Sequence, residues 1–130
     1  MLKKTITYTD FNEMERTQDF YFNLTKIELM KMEASVDGGL AEKLKRISAA
    51  QDGVAIMEVM EDLIRRSFGV KTADGGFVKR PEDLAAFVST EAYSNLFMEL
   101  VTDADAAVNF VKGILPADLR NQIQLPKKDK

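Results

Sequence analysis

Cysteine and histidine are both absent from the 130 residues of this chain. Without cysteine, the protein has no disulfides, no thiolate nucleophile and no cysteine metal site, which fits a reducing compartment. Without histidine, it lacks the commonest general base and the commonest metal ligand. No phosphate-binding glycine loop is present, and the glycine pairs at 38–39 and 75–76 follow aspartates, as turn residues do. We therefore predict that the chain is not an enzyme and uses no cofactor or metal.

Long apolar runs are missing as well. No stretch approaches the ~20 apolar residues that cross a bilayer, and Lys3 and Lys4 precede no apolar run of the kind that a signal peptide carries. The net charge is −3, and the basic cluster Lys43, Lys45 and Arg46 has no aromatic stacking platform among its residues. We expect a cytoplasmic protein, with neither a membrane nor a nucleic acid as its partner.

The composition is that of one folded domain. The chain is 45% hydrophobic and 30% charged, as soluble globular proteins are. A chain of this length buries a core without disulfides or metals. We predict a single domain over residues 1–125 and a disordered basic tail at residues 126–130.

Two segments near the N-terminus alternate between apolar and polar residues, which is typical of strands. In residues 3–9, Ile6 and Tyr8 share one face, and residues 17–24 alternate in the same way. The polar stretch Asp10–Glu15 between them is short enough for a hairpin loop. Since a lone hairpin is marginal in water, we expect it to lie on helices of its own chain. The alternative is an exposed edge that accepts another strand.

Capping residues and helical spacing divide most of the remaining chain into helices. Thr25 and Glu28 match a capping box, in which each side chain accepts the backbone N–H of the other residue. Residues 70–79 contain a turn signal at 74–76 and read as a second, smaller hairpin. The predicted helices are one opened by Thr25 and ended at Asp37, Leu40–Ala50, Val54–Phe68 capped by Gly69, Pro81–Ser89, two within Thr90–Leu115, and one more turn or two within Ala117–Ile123.

The stretch Thr90–Leu115 carries a continuous apolar seam at helical spacing. Thr102 and Asp105 have the spacing that starts a new helix, which predicts two helices broken near Thr102–Asp103. Asp103 and Asp105 also open like a calcium loop, but Val108 stands where that loop needs glycine. We therefore predict an α+β fold that is predominantly α-helical, with an N-terminal β-hairpin packed on a bundle of about five or six helices.

The seven methionines indicate an adaptable apolar surface. Flexible thioethers suit surfaces that accept varied apolar helices, although core filling is the ordinary role of any single methionine. Together with neighbouring aromatic and aliphatic residues, they predict more apolar surface than a monomer of this size hides, so that a partner helix or a second copy covers it. The candidate partner-binding residues are Met30, Met32, Met57, Met60, Phe97, Met98, Leu100 and Phe110.

Three segments resemble a known family. KKTITYTDFN (3–12), DFYFNLTK (19–26) and TEAYSNLFMELVTDADAAVNFVKGILP (90–116) are similar to the tail assembly chaperones of long-tailed bacteriophages that infect Gram-positive bacteria. The resemblance implies a mostly helical protein that works in the infected cell and is not retained in the virion. It also implies binding to the tape measure protein, which is kept soluble while the major tail protein polymerises around it.

The resemblance implies further partners as well. Phages of this type encode a short chaperone and, by ribosomal frameshifting near its end, a longer form. We accordingly expect the tape measure protein, the major tail protein, a second copy of the chain and its frameshifted longer form as partners, with Lys127-Lys128 as a place for the slippery codons. The alternatives are a structural virion component, such as a tail or head-completion protein that acts by oligomerisation, and a phage regulator that binds nucleic acid.

Overall fold

The structure, a computed structural model, describes residues 1–117. This part of the chain contains a four-stranded antiparallel sheet and six helices. In chain order the elements are β1 (Leu2–Thr9), β2 (Glu15–Phe22), α1 (Lys26–Ser35), α2 (Gly39–Ala50), α3 (Gly53–Ser67), β3 (Phe68–Lys71), β4 (Phe77–Val78), α4 (Pro81–Val88), α5 (Glu91–Thr102) and α6 (Ala104–Ile114). The predicted α+β, mostly helical fold is confirmed.

The sheet has the strand order β1-β2-β3-β4. Strands β1 and β2 pair along their full length, from Leu2 opposite Phe22 to Thr9 opposite Glu15. The N-terminal hairpin is thereby confirmed, although β2 begins and ends two residues earlier than the segment 17–24 that alternation predicted.

The side chain of Asp10 fixes the hairpin turn. Its Oδ1 accepts the backbone N–H groups of Asn12 at 2.9 Å and Met14 at 3.0 Å, and its Oδ2 lies 2.9 Å from Nε of Arg16. The N–H of Met14, helped by the nearby guanidinium, holds the pKa of Asp10 below its ordinary value. Because these bonds close the turn by residue 14, pairing starts at Glu15.

The hairpin lies on helices of its own chain, as we expected. Ile6 and Tyr8 are buried, and β1 packs mainly on α5. The threonines of the opposite face are exposed. At the outer edge of β1, Nδ2 of Asn95 in α5 donates a hydrogen bond of 3.3 Å to the carbonyl of Thr7.

The second hairpin extends this sheet, which the sequence did not predict. Strand β3 pairs with β2 on one side and with β4 on the other. The prediction that Gly69 caps the preceding helix is wrong, because α3 ends at Ser67 and Gly69 lies within β3. A Cβ at this glycine would lie 2.8 Å from the ring of Phe77, so the close approach of that ring is what requires glycine.

Four of the six helices in the described part of the chain begin after a residue whose side chain caps the first turn. The box at the start of α1 is confirmed, with Thr25 N–H donating to Glu28 at 2.9 Å and Glu28 N–H donating to the Thr25 hydroxyl at 3.3 Å. The break between α5 and α6 also falls where we predicted it. Its cap, however, is Asp103 and not Thr102: the carboxylate of Asp103 accepts two N–H groups of the first turn of α6, whereas the Thr102 hydroxyl donates back to a carbonyl of α5.

An aromatic cluster forms the centre of the core. The ring of Phe22 lies 5.3 Å from that of Phe110 and 5.9 Å from those of Phe68 and Phe87. Phe68 and Phe87 stack on each other at 4.4 Å. These rings join the sheet to α4 and α6, and edge-on and offset contacts between aromatic rings add to the energy of burial.

Three predictions concern residues outside the described part of the chain. They are the helical turn within Ala117–Ile123, the domain boundary at residue 125 and the basic tail at 126–130, all of which extend beyond Ala117.

Candidate binding cleft

An open cleft of about 350 Å³ lies among four helices, α2, α3, α5 and α6. Every residue within 1–117 that lines it is uncharged, and the walls are mostly aliphatic. The cleft lies at the low end of the range of ~300–1,000 Å³ that is typical of ligand pockets. Its main aliphatic residues are Leu44, Ile47, Ile56, Val59, Val108 and Val111.

The cleft stays open because α6 presents small side chains on this side. Ala104, Ala107 and Val108 face the cleft, whereas Phe110 and Ile114 on another side of the same helix are buried in the core. The break at Asp103 separates α6 from α5, so that α6 begins at the wall of the cleft. Large residues fill one side of the helix, and small residues on the other side leave a space.

The lining supports contact with apolar groups more than any reaction. In the described part of the chain, no titratable side chain lines it, and the polar lining side chains are those of Ser48, Gln51 and Thr102. Exposed carboxylates of Asp103 and Asp105 stand at the end of the cleft where α6 begins. Within residues 1–117, neither of these aspartates has a basic ion-pair partner. An aliphatic surface is the complementary ligand, because its burial releases water from both sides.

Five of the eight candidate partner-binding residues lie in or beside the cleft. Met60 and Leu100 line it and are buried. Met57 is 42% exposed and Met98 is 56% exposed. Met57 precedes the lining residue Met60 by three positions on α3. Met98 and half-buried Phe97 precede the lining residue Val101 by three and four positions on α5, and residues at these spacings share a helix face. These three side chains therefore flank the cleft.

Phe97 connects this margin to the aromatic core. Its ring lies 6.1 Å from that of Tyr93, which in turn lies 5.6 Å from Phe87. Burial, and secondly the negative charge of Glu61, raise the pKa of Tyr93 above its ordinary value, so its phenol is neutral at physiological pH.

The other three candidates lie elsewhere. Met32 and Phe110 are buried in the core of the chain itself. Met30 is 68% exposed, but it lies on α1, which contributes no residue to the cleft. That any of the eight candidate residues contacts a partner stays a prediction.

Sequence reasoning did not single out the aliphatic walls of the cleft. Leu44 and Ile47 formed a stripe on α2, and Ala107, Val108 and Val111 formed one on α6. The apolar pattern was therefore present in the sequence. These residues are smaller than methionine and phenylalanine, and they were not among the candidate partner-binding residues. Their helices have too few large residues on this side to close against each other.

Metal-binding groups and membrane-spanning helices are two other kinds of functional feature. Among residues 1–117, no group of three or more acidic side chains is arranged to hold a metal ion. No helix in the same range has both the length and the apolar character needed to span a membrane.

The fold and the cleft define a small, mostly helical α+β domain with an open apolar cleft. Comparison with protein families is more specific: the chain belongs to the phage tail assembly chaperone family, whose model matches residues 1–129. This confirms the family that the three sequence segments indicated. No curated protein and no solved structure matches the chain. The Gram-positive host and the long-tailed phage type stay predictions.

Proposed function

We propose that this chain is a tail assembly chaperone whose client is the tape measure protein, and that the cleft holds apolar side chains of a client helix. The observation that carries this proposal is an apolar cleft in which no lining residue among the described 117 is charged, in a member of the chaperone family. A helix offers aliphatic side chains at i, i+3, i+4 and i+7, and such a stripe is what a groove between helices accepts.

The size and margins of the cleft favour a repetitive client. A volume of about 350 Å³ takes a few aliphatic side chains at a time, so a long helix binds several chaperones along its length. Met57 and Met98 at the margins are unbranched and flexible, which lets one cleft accept differing client segments. Covering apolar stripes in this way keeps the client from aggregating before the tail tube forms.

The setting of this activity is part of the proposal. The chaperone acts without catalysis in the cytoplasm of the infected host and leaves before the virion is complete. Self-association, contact with the major tail protein and a frameshifted longer form stay predictions.

Co-expression with the tape measure protein tests the cleft. Val108 lines it on α6, whereas the next residue, Asn109, is exposed and does not line it. An unpaired charge in an apolar contact is costly, so Val108→Lys should lower the soluble client by on the order of ten-fold, which corresponds to about 1.4 kcal/mol. Asn109→Lys, which adds the same charge, should leave the soluble client unchanged.

Two outcomes contradict the proposal. If the client is equally insoluble with and without the wild-type chain, the client is wrong. If both lysine variants keep full activity while remaining folded by circular dichroism, the cleft is wrong. Mass spectrometry of purified virions separates the chaperone from the structural alternative, since a chaperone is missing there and a tail or head-completion subunit is present.

A further inference from the structure

The turn of the N-terminal hairpin carries two large apolar side chains that the rest of the described chain leaves in water. Phe11 is 75% exposed and Met14 is 63% exposed, and both belong to the loop between β1 and β2. We propose that this turn inserts into the open cleft of a second copy of the chain. The contact forms between unliganded chaperones and needs no client.

Hydrogen bonds hold the turn in one shape before any partner binds. The carboxylate of Asp10 accepts the N–H groups of Asn12 and Met14. The backbone adds two more bonds, from Asp10 N–H to the carbonyl of Met14 at 2.8 Å and from Glu13 N–H to the carbonyl of Asp10 at 3.0 Å. Because the turn is already ordered, docking it costs less conformational entropy than docking a flexible loop. Aromatic residues and methionine are enriched at the centres of protein interfaces, and this turn presents one of each.

The turn does not reach the cleft of its own chain. Phe11 and Asp10 border a second hollow together with Thr90 and Glu91, where α5 begins. The cleft is lined by Leu100 and the residues after it, where the same helix ends. Helix α5 has 12 residues and is therefore about 18 Å long. Since the turn and the cleft lie at opposite ends of this helix, the cleft that the turn enters belongs to another copy.

The cleft has room for both side chains of the turn. A cavity of roughly 150 Å³ already binds benzene, and the cleft measures about 350 Å³. The ring of Phe11 therefore fits, with space left for the flexible, unbranched side chain of Met14. Its lining is uncharged among residues 1–117, so the insertion removes apolar surface from water on both copies.

Charge favours the same pairing. Residues 10–16, which form the turn and its flanks, contain three acidic residues and one basic residue, a net charge of −2. Helix α2, which forms one wall of the cleft, contains three basic residues and one acidic residue, a net charge of +2. Lys43 shares a helix face with the lining residue Ile47, and it has no acidic ion-pair partner within residues 1–117. The acidic end of the cleft, at Asp103 and Asp105, lies where α6 begins, so the turn should enter with its acids towards α2.

The contact joins two different surfaces and is therefore heterologous. Few residues meet in it, so the association should be weak and should grow with protein concentration. It hides apolar side chains of the turn and of the cleft together while no client is present, which limits their exposure to non-specific contacts.

Sedimentation of the full chain over a series of concentrations tests the association. The wild type should associate as the concentration rises, and Phe11→Ala and Val108→Lys should each lower the association constant by at least about ten-fold. Ile27→Ala is the matched control for the turn, because Ile27 is exposed on α1, and Asn109→Lys is the control for the cleft. Both controls should associate as the wild type does. If Val108→Lys does not fold by circular dichroism, Ala107→Leu takes its place, since it fills the cleft without adding a charge.

A mixture of two defective variants shows which surfaces meet. Phe11→Ala keeps an intact cleft, and Val108→Lys keeps an intact turn. Each should be a monomer alone, whereas the mixture should form a one-to-one pair. If two turns or two clefts met each other instead, one of these variants would still associate alone.

Four results overturn the proposal. They are a wild type that stays monomeric, a Phe11→Ala or Val108→Lys variant that associates alone as the wild type does, a mixture that stays monomeric, and an Ile27→Ala variant that is as defective as Phe11→Ala. These measurements contain no client, so their failure leaves the chaperone proposal intact.

Competition between the turn and the client is a consequence that rests on the proposed function. Both enter the same cleft, so the apparent affinity of the client falls with the fraction of clefts that hold a turn. In co-expression, Phe11→Ala should therefore raise the soluble tape measure protein above the wild-type level. An unchanged level would overturn the competition while the self-association stands.

Discussion

The two sides of α6 use apolar residues for different purposes. On one side, Phe110 joins a cluster of phenylalanines that is sealed from water. On the other, Ala104, Ala107 and Val108 face an open cleft. The sealed side uses large rigid rings that interlock, and the open side uses small side chains that do not reach their neighbours. In this chain, then, bulky apolar residues fill the core, and small ones leave the open cleft.

The comparison predicts different responses to mutation on the two sides. A close-packed interior loses energy when a side chain is either shortened or lengthened. An open cleft has room for added atoms and should lose little stability when filled, but it should lose the client binding that we propose for it. The following changes test this contrast from the largest expected effect to the smallest.

Shortening the central ring of the core should have the largest effect. Phe22 is fully buried and contacts three other rings, so Phe22→Ala should lower the free energy of unfolding by about 3–5 kcal/mol. Phe11→Ala is the matched control because Phe11 is 75% exposed, and its effect should stay within about 0.5 kcal/mol. Urea unfolding followed by circular dichroism measures both. Equal losses would show that the aromatic cluster is not the stabilising centre.

Adding the same atoms on each side gives an intermediate effect. Ala92 is fully buried in α5, so Ala92→Leu should cost about 1–3 kcal/mol by overpacking. Ala107 lines the cleft, so Ala107→Leu should change the free energy of unfolding by less than about 0.5 kcal/mol while lowering the soluble client in co-expression. If Ala107→Leu raised the free energy of unfolding and left the amount of soluble client unchanged, the cleft would be an unfilled gap in the core and not a binding site.

Much of the fold follows from local signals in the sequence. The alternation of Ile6 and Tyr8, the capping box at Thr25 and the break at Thr102–Asp103 each predicted an element that the structure contains. These signals act within a few residues, so they are legible without tertiary information. Which residue caps α6 is harder to predict, because Thr102 and Asp103 both have side chains that can cap a helix. Only the path of the backbone at the break decides between them.

The sheet and the cleft depend on contacts between distant residues. Pairing of β2 with β3 joins Phe22 to Phe68, and no local pattern specifies it. Methionine content likewise could not distinguish Met32, which is buried, from Met30, which is exposed, because the two lie on opposite sides of the same helix, α1. The cleft itself is a property of four helices, and it appears only when their small residues face one another.

The smallest effect should come from a polar contact away from both sides of α6. Nζ of Lys79 lies 2.7 Å from Oε1 of Glu28 and donates a second hydrogen bond of 2.7 Å to the carbonyl of Asn23. Partial burial alone would raise the pKa of Glu28, but the bonds from Lys79 and from the N–H of Thr25 outweigh it, so the pKa is lowered from its ordinary 4.5. This contact ties α1 to the end of β4, and its stabilising energy adds to that of the aromatic packing.

The sign of the pH dependence follows from that lowered pKa. The contribution of Glu28 is fully present above pH 4.5 and is lost as the pH falls through the lowered value. Glu28→Gln keeps an acceptor for the capping box but removes the charge, so it should cost about 1 kcal/mol or less at pH 7. Glu42→Gln, which removes a more exposed partner of Lys45, should cost nothing measurable. In urea titrations from pH 7 to pH 3, the difference between Glu28→Gln and the wild type should shrink towards zero. If this difference stayed constant with pH, the charge of Glu28 would not be the source of the stability that the contact with Lys79 contributes.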